Sequence, residues 1–247
     1  MSRILLLLLC MALGLAARAE PLRLVADPWP PFTDIHLPNR GLAGDLVSSA
    51  LDRAGYTLDY SEKPWARALH ELQSGACDVL VDAWYSPERA AYALYSEPYL
   101  VNRIRLFQRR GAAIPFSSLA DLRGRSIAVV RGYSYAPAFD NDPALQRVPV
   151  IDFEMGARML AAGRVELFVE DEWAAQFHLQ RSLPELREQF DTLPRPLAEN
   201  GLHILVRKSH PQAAQIVAAF NRALQAMRDD GSYARIVAAH EVTARAP

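Results

Sequence analysis

Apolar positions recur along this chain in two alternating rhythms, and their order outlines a fold. Leu22–Ala26 reads as a short apolar strand and runs into the Pro-rich turn Asp27-Pro-Trp-Pro-Pro-Phe32. Over residues 44–54 the apolar side chains Leu46, Val47, Ala50, Leu51 and Ala54 fall at helical spacing, and Gly55 stops the run. Residues 56–60 alternate like a strand, residues 66–72 form a second helix closed by Gly75, and residues 77–83 are a strongly apolar strand. Strand–helix–strand–helix–strand is the order of a parallel sheet covered by helices. The same order returns downstream, with predicted strands at Ser126–Val130, 147–151 and 165–169 and helices at 134–140 and 153–162, the last ended by Gly163. Two α/β units in series predict two lobes.

Two extended segments, 99–108 and 202–206, read as the connections between them, with a Pro-containing loop at 193–200. Amphipathic helices follow at 211–228 and 233–239. If this tail packs on the first lobe, the chain crosses between lobes twice, and two antiparallel crossings make a hinge. The expected division is therefore residues 20–103 for the first lobe, 104–201 for the second, and 202–247 for the return to the first.

The first nineteen residues are different. Arg3, an apolar run of about a dozen residues and Ala17-Arg-Ala19 form a secretory signal peptide, with cleavage expected after Ala19. The run is too short to span a bilayer, which needs roughly 20 residues. Cys10 lies inside this leader, so Cys77 is the one cysteine of the mature chain and is expected to be a buried small hydrophobe. Without a disulfide, stability must come from core burial. The 27 Lys and Arg nearly balance the 28 Asp and Glu, so no basic field argues for nucleic acid. The mature protein is expected to be a soluble monomer in the periplasm.

Four clusters carry candidate chemistry. Trp29 and Phe32 follow the first strand, at the carboxyl end where open α/β sheets bind ligands; they serve either as a ligand-facing aromatic wall or as core. Asp82 ends a buried strand, and Trp84 leads into Ser86-Pro-Glu-Arg89. Ser86 and Pro87 suit a helix start, which sets Arg89 beside the strand end. An arginine fork there suits a carboxylate, although Asp82 is equally placed to be its ion-pair partner. Tyr133 and Ser134 follow Gly132 after the next strand, either as an anion-binding helix start or as an ordinary turn. Asp171, between Glu170 and Glu172, either holds an ammonium across the cleft or begins a helix, where the dipole favours acids. The six histidines show no metal-ligand spacing, and no phosphate loop, serine elbow or dinucleotide fingerprint is present. No metal, cofactor or catalytic residue is expected.

These features together resemble the family-3 extracytoplasmic solute-binding proteins, the amino-acid receptors of bacterial ABC importers. The resemblance rests on Pro31-Phe32, Gly41-Leu-Ala-Gly-Asp-Leu46, Gly75-Ala-Cys-Asp78, Ser86-Pro-Glu-Arg89, Tyr95-Ser-Glu-Pro-Tyr99, Gly132-Tyr-Ser134, Gly163-Arg-Val-Glu166 with Asp171, and Asp230-Gly-Ser-Tyr233 with Ile236. It implies the two-lobed type II periplasmic-binding-protein fold, with a ligand cleft between lobes joined by two strands. By family pattern Arg89 would grip the ligand's α-carboxylate with help from groups near Ser134. Asp171 would hold the α-ammonium, and Phe32 with Trp29 would form the aromatic wall. An inner-membrane ABC permease would be the partner. Asp82 and Trp84 depart from the pattern, since small or hydroxyl residues usually stand there. Pro64-Trp65-Ala-Arg67 resembles a divergent branch of the family. Asp82, Glu170, Asp171 and Glu172 argue for a ligand with positive charge; Arg67 and Arg89 argue that it also carries an acid group. The alternatives are a sensory module without transport and an enzyme similar to cyclohexadienyl dehydratases. By that resemblance the catalytic group would be a Glu three residues after the position of Asp171, where this chain has Ala174.

Overall fold

The computed structural model describes residues 20–245; the predicted signal peptide, with Cys10, lies outside the described residues. Strand β1 (Leu22–Ala26) pairs in parallel with β2 (Leu58–Glu62) and with β3 (Val79–Ala83). Helices α1 (Gly41–Arg53) and α2 (Trp65–Ser74) connect them, as a parallel β–α–β order requires. Gly75 ends α2 at φ +83°, in the left-handed region that glycine tolerates best. The four-residue helix α3 (Pro87–Ala90) and the short strand β4 (Ala93–Tyr95) follow.

The second unit holds β6 (Ser126–Val130), α4 (Pro137–Asp140), β7 (Gln146–Val150), α5 (Phe153–Ala161), β8 (Leu167–Asp171) and α6 (Glu172–Arg181), with β6 parallel to both β7 and β8. Helix α4 is shorter than the predicted 134–140, because Pro137 fixes its first turn and Tyr135 is buried with its hydroxyl accepting from Val130 N at 2.8 Å. Ser134 therefore does not cap it.

Two ten-residue strands join the units: β5 (Leu100–Arg109) and β10 (Ala198–Arg207). They pair antiparallel from Leu100↔Leu202 to Ile104↔Ala198 and then part. The rest of β10 pairs with β3 and β4, and the rest of β5 pairs with β8 and with β9 (Phe190–Thr192). The expected loop at 193–200 thus becomes strand from Ala198, where β5 supplies the ladder partner. Helices α7 (Ala213–Asp229) and α8 (Ser232–Arg245) pack on α1 of the first unit. Tyr233 fastens this return by donating to Tyr99 O at 2.7 Å, and His240 sits 2.9 Å from Asp45. The result is a two-lobed α/β fold with a two-strand hinge and a cleft between the lobes. Cys77 is buried as expected.

Candidate functional site

Local backbone rules build the cleft wall of the first lobe. The first free N–H groups of α1 find acceptors in the turn before it: Leu42 N donates to Pro31 O at 3.0 Å and Ala43 N to Phe32 O at 2.8 Å. Gly41 permits this contact, since a Cβ there would lie 2.6 Å from Phe32 O. The turn is thereby fixed, and it presents Trp29 at the carboxyl end of β1. Trp84 leaves the end of β3, and Trp65 opens α2.

A small, half-open pocket of about 20 Å³ lies between the lobes. It is lined by Trp29, Asp82, Trp84, Arg89, Tyr133 and Ser134 of the sequence-derived set, and also by Asp27, Trp65 and Leu202. Contacts cross the cleft around it: Trp65 Nε1 donates to Gly132 O at 2.9 Å, and Trp29 Nε1 to Glu170 at 3.4 Å.

Arg89 is only 5% exposed. Its guanidinium donates to Trp84 O at 2.9 Å and, across the cleft, to Gly132 O at 2.7 Å, and lies 4.9 Å over the Trp65 ring. Neither Asp82 nor any other described carboxylate forms an ion pair with it. Burial lowers its pKa from the ordinary arginine value. A buried cation held by neutral carbonyls, an aromatic face and the Tyr95 hydroxyl, with no carboxylate, retains donors for an anion.

The carboxyls stand in the opposite condition. Burial raises Asp27 and Asp82 above the usual carboxylate range, and each also feels the other's charge or hydrogen bond. Burial pushes Glu170 up to about 8, against the lowering effect of Asp171 N, which donates to it at 2.8 Å. Asp171 is pushed up to about 6 by burial.

Two site residues read from the sequence lie elsewhere. Asp171 caps α6: its Oδ1 accepts from Trp173 N at 2.8 Å and Ala174 N at 2.9 Å, while Oδ2 accepts from Asn102 at 3.2 Å. Asn102 accepts in turn from Trp84 Nε1 at 3.0 Å, so two side chains separate Asp171 from the cavity. Phe32 stacks on Trp173 across the lobes, with centroids 6.2 Å apart, and shares a second pocket with Asp171. Arg67 pairs with Glu71 on the exposed face of α2, outside the cavity. Asp27 and Trp65 were not singled out from the sequence as ligand contacts. The register of β1 against β3 reveals the first: Leu24↔Val79 and Val25↔Leu80, carried two residues on, sets Asp27 beside Asp82. Trp65 follows Pro64 at a helix start, a position that faces the strand ends.

The family model of bacterial extracellular solute-binding proteins, family 3, matches residues 22–241. The chain belongs to this family. No curated sequence matches it. Solved structures share the fold. A histidine kinase sensor domain with similarity to periplasmic binding proteins aligns at TM-score 0.76 and 23% identity, covering 89% of this chain and 95% of that one. An ancestral arginine-binding protein bound to arginine aligns at TM-score 0.72 and 23% identity, covering 87% and 96%. An ancestral amino acid-binding protein, a precursor of cyclohexadienyl dehydratase, aligns at 0.68 and 20% identity, covering 87% and 92%. At these identities the likeness of this family-3 chain to each structure is one of fold.

Proposed function

We propose that this family-3 protein works in the periplasm, where it captures a small amino-acid-like zwitterion by hinge closure, without chemistry on it, and delivers it to an inner-membrane ABC permease. The observation that carries the reading is Arg89, a buried guanidinium without a carboxylate partner on the wall of the interlobe cavity. A ligand carboxylate supplies the missing anion through a fork geometry. Closure is favoured only by contacts the open state lacks, and the bonds of Trp65 and Arg89 to Gly132 show where the lobes meet. The signal-peptide pattern of residues 1–19 supports export. A sensory role uses the same ligand chemistry, and the likeness to a kinase sensor domain favours it as the second reading. The two differ in the membrane partner.

The test is a thermal-shift screen of mature protein, unfolded and refolded to strip bound ligand, against amino acids, polyamines, opines, betaines and small organic acids. Ligand at about 100 times its Kd adds about 2.7 kcal/mol. At roughly 2–4 °C per kcal/mol for a chain of this size, a binder is readily seen. The expected hits carry a carboxylate and a cation; hits confined to ligands without a carboxylate contradict the reading.

A further inference from the structure

Asp27 and Asp82 reach the same space because β1 and β3 run parallel and in register at their carboxyl ends. Both are buried, at 6% and 4% exposure. The register of the two strands sets them side by side. The Thr33 hydroxyl is placed to donate to Asp82 Oδ2 at 2.8 Å or to Asp27 O at 2.7 Å, and one proton cannot fully serve both. Asp82 Oδ1 is buried with no donor at all. No lysine, arginine or histidine among the described residues pairs with either carboxyl. An unsatisfied buried carboxylate oxygen is expensive, and its residue, Asp82, is one that lines the cavity.

Aromatic rings surround the same space. Trp29 and Trp84 have centroids 5.4 Å apart at 84°, Trp84 and Tyr133 5.4 Å at 82°, and Trp29 and Tyr133 6.5 Å at 80°. The three rings pack edge to face beside the two carboxyls, and all three line the pocket. Outside Trp29 and Tyr133, an open groove is lined by Asp27, Glu62, Asp152, Glu154 and Glu170, with Lys63 and His178.

We propose that the Asp27–Asp82 carboxyl pair, boxed by Trp29, Trp84 and Tyr133, is the subsite for an N–H-bearing cation of the ligand, and that Asp171 is not. The assignment rests on the zwitterion reading above. The aromatic box alone would accept any cation, but the orphaned Asp82 Oδ1 needs a hydrogen-bond donor. An ammonium or guanidinium has one, and a trimethylammonium has none. Asp171 has both oxygens occupied by Trp173 N, Ala174 N and Asn102. Arg89 lines the same cavity, so the ligand's two charges are held a few bonds apart.

Isothermal titration of stripped wild-type, Asp82→Asn, Asp27→Asn and Asp171→Asn proteins separates the possibilities, with circular dichroism to check folding. The probes are L-arginine and 4-aminobutyrate, glycine betaine as a zwitterion without N–H, and agmatine as a cation without carboxylate. The expected result is that L-arginine or 4-aminobutyrate binds more tightly than glycine betaine, weakens about 30-fold or more in Asp82→Asn, and changes less than about threefold in Asp171→Asn. Asp27→Asn serves in its place should Asp82→Asn not fold. Zwitterion binding left intact by both cavity variants overturns the subsite and leaves the zwitterion reading standing, as does glycine betaine binding equally well. Agmatine binding that Asp82→Asn abolishes, with no response to any zwitterion, retains the subsite and overturns the zwitterion reading. Silence from all four probes overturns both.

Discussion

The two ends of one strand pair treat carboxylates in opposite ways. At the amino end of β3, Asp78 lies opposite Arg23, and Arg23 Nη2 and Arg207 Nη2 approach Asp78 Oδ1 at 2.8 and 2.9 Å. Arg23 N and Nε also donate to it, and its carboxyl is held down at about 2 by these partners despite burial. Four residues on, at the carboxyl end, the same register sets Asp82 beside Asp27, another acid. There burial works unopposed by any cation, and both carboxyls are raised. The Asp78 end closes the sheet. The Asp82 end leaves two buried carboxyls without a cationic partner where α/β sheets place their ligands. The contrast teaches that burial alone does not tell a structural carboxylate from a binding one; the inventory of its partners does.

The largest expected effect falls on the satisfied end. Asp78→Asn breaks a mostly buried ion-pair cluster and should cost about 3 kcal/mol. That is a fall in Tm of roughly 6–12 °C at this chain length. A change within experimental error would show that the two ends do not differ. Asp82→Asn should leave the Tm of stripped protein unchanged or raise it, because burial already disfavours the charged carboxyl and the Asn side chain can keep the Thr33 hydrogen bond. A fall like that of Asp78→Asn would erase the contrast.

A smaller effect follows from pH. Glu170 titrates near its ordinary 4.5 when unfolded and at about 8 when folded, so the folded state holds its proton more tightly. Its contribution is present below pH 4.5 and is lost as pH rises to about 8. Asp78 acts in the other direction: its contribution is present above pH 3.8 and is lost as pH falls through about 2. Thermal denaturation from pH 5 to 8 should therefore show declining stability, and Glu170→Gln should make the decline shallower. An identical slope in the variant would remove Glu170 from the explanation.

Much of the fold was legible in the chain, because glycine stops and hydrophobic rhythm are local. β1 and β6 were read at their observed bounds, Leu22–Ala26 and Ser126–Val130. Pairing geometry was less legible. The sequence showed Asp82 and Arg89 seven residues apart and left an ion pair open, whereas Asp82 faces Asp27 across the sheet. From spacing alone Asp171 carried two equal readings and the family pattern pointed to the ammonium role, whereas in the structure it caps α6. Helix α6 itself, Glu-Trp-Ala-Ala-Gln-Phe-His-Leu-Gln-Arg, has little apolar period, so beyond its acidic start only tertiary contacts define it. Trp84 was recognised as a departure from the family pattern. Its consequence, that its indole and Asn102 stand between the cavity and Asp171, required the hinge strand's position.

The central claim is that Arg89 holds a ligand carboxylate inside the cavity between the lobes. Three of the four tryptophans, Trp29, Trp65 and Trp84, line that cavity, so intrinsic fluorescence reports on it directly. The measurement is a fluorescence titration of stripped wild-type and Arg89→Ala proteins with the amino acid giving the largest thermal shift. The account predicts a saturable change in the wild type and a loss of affinity of about 30-fold or more in the variant. Equal affinity in the two proteins would contradict it.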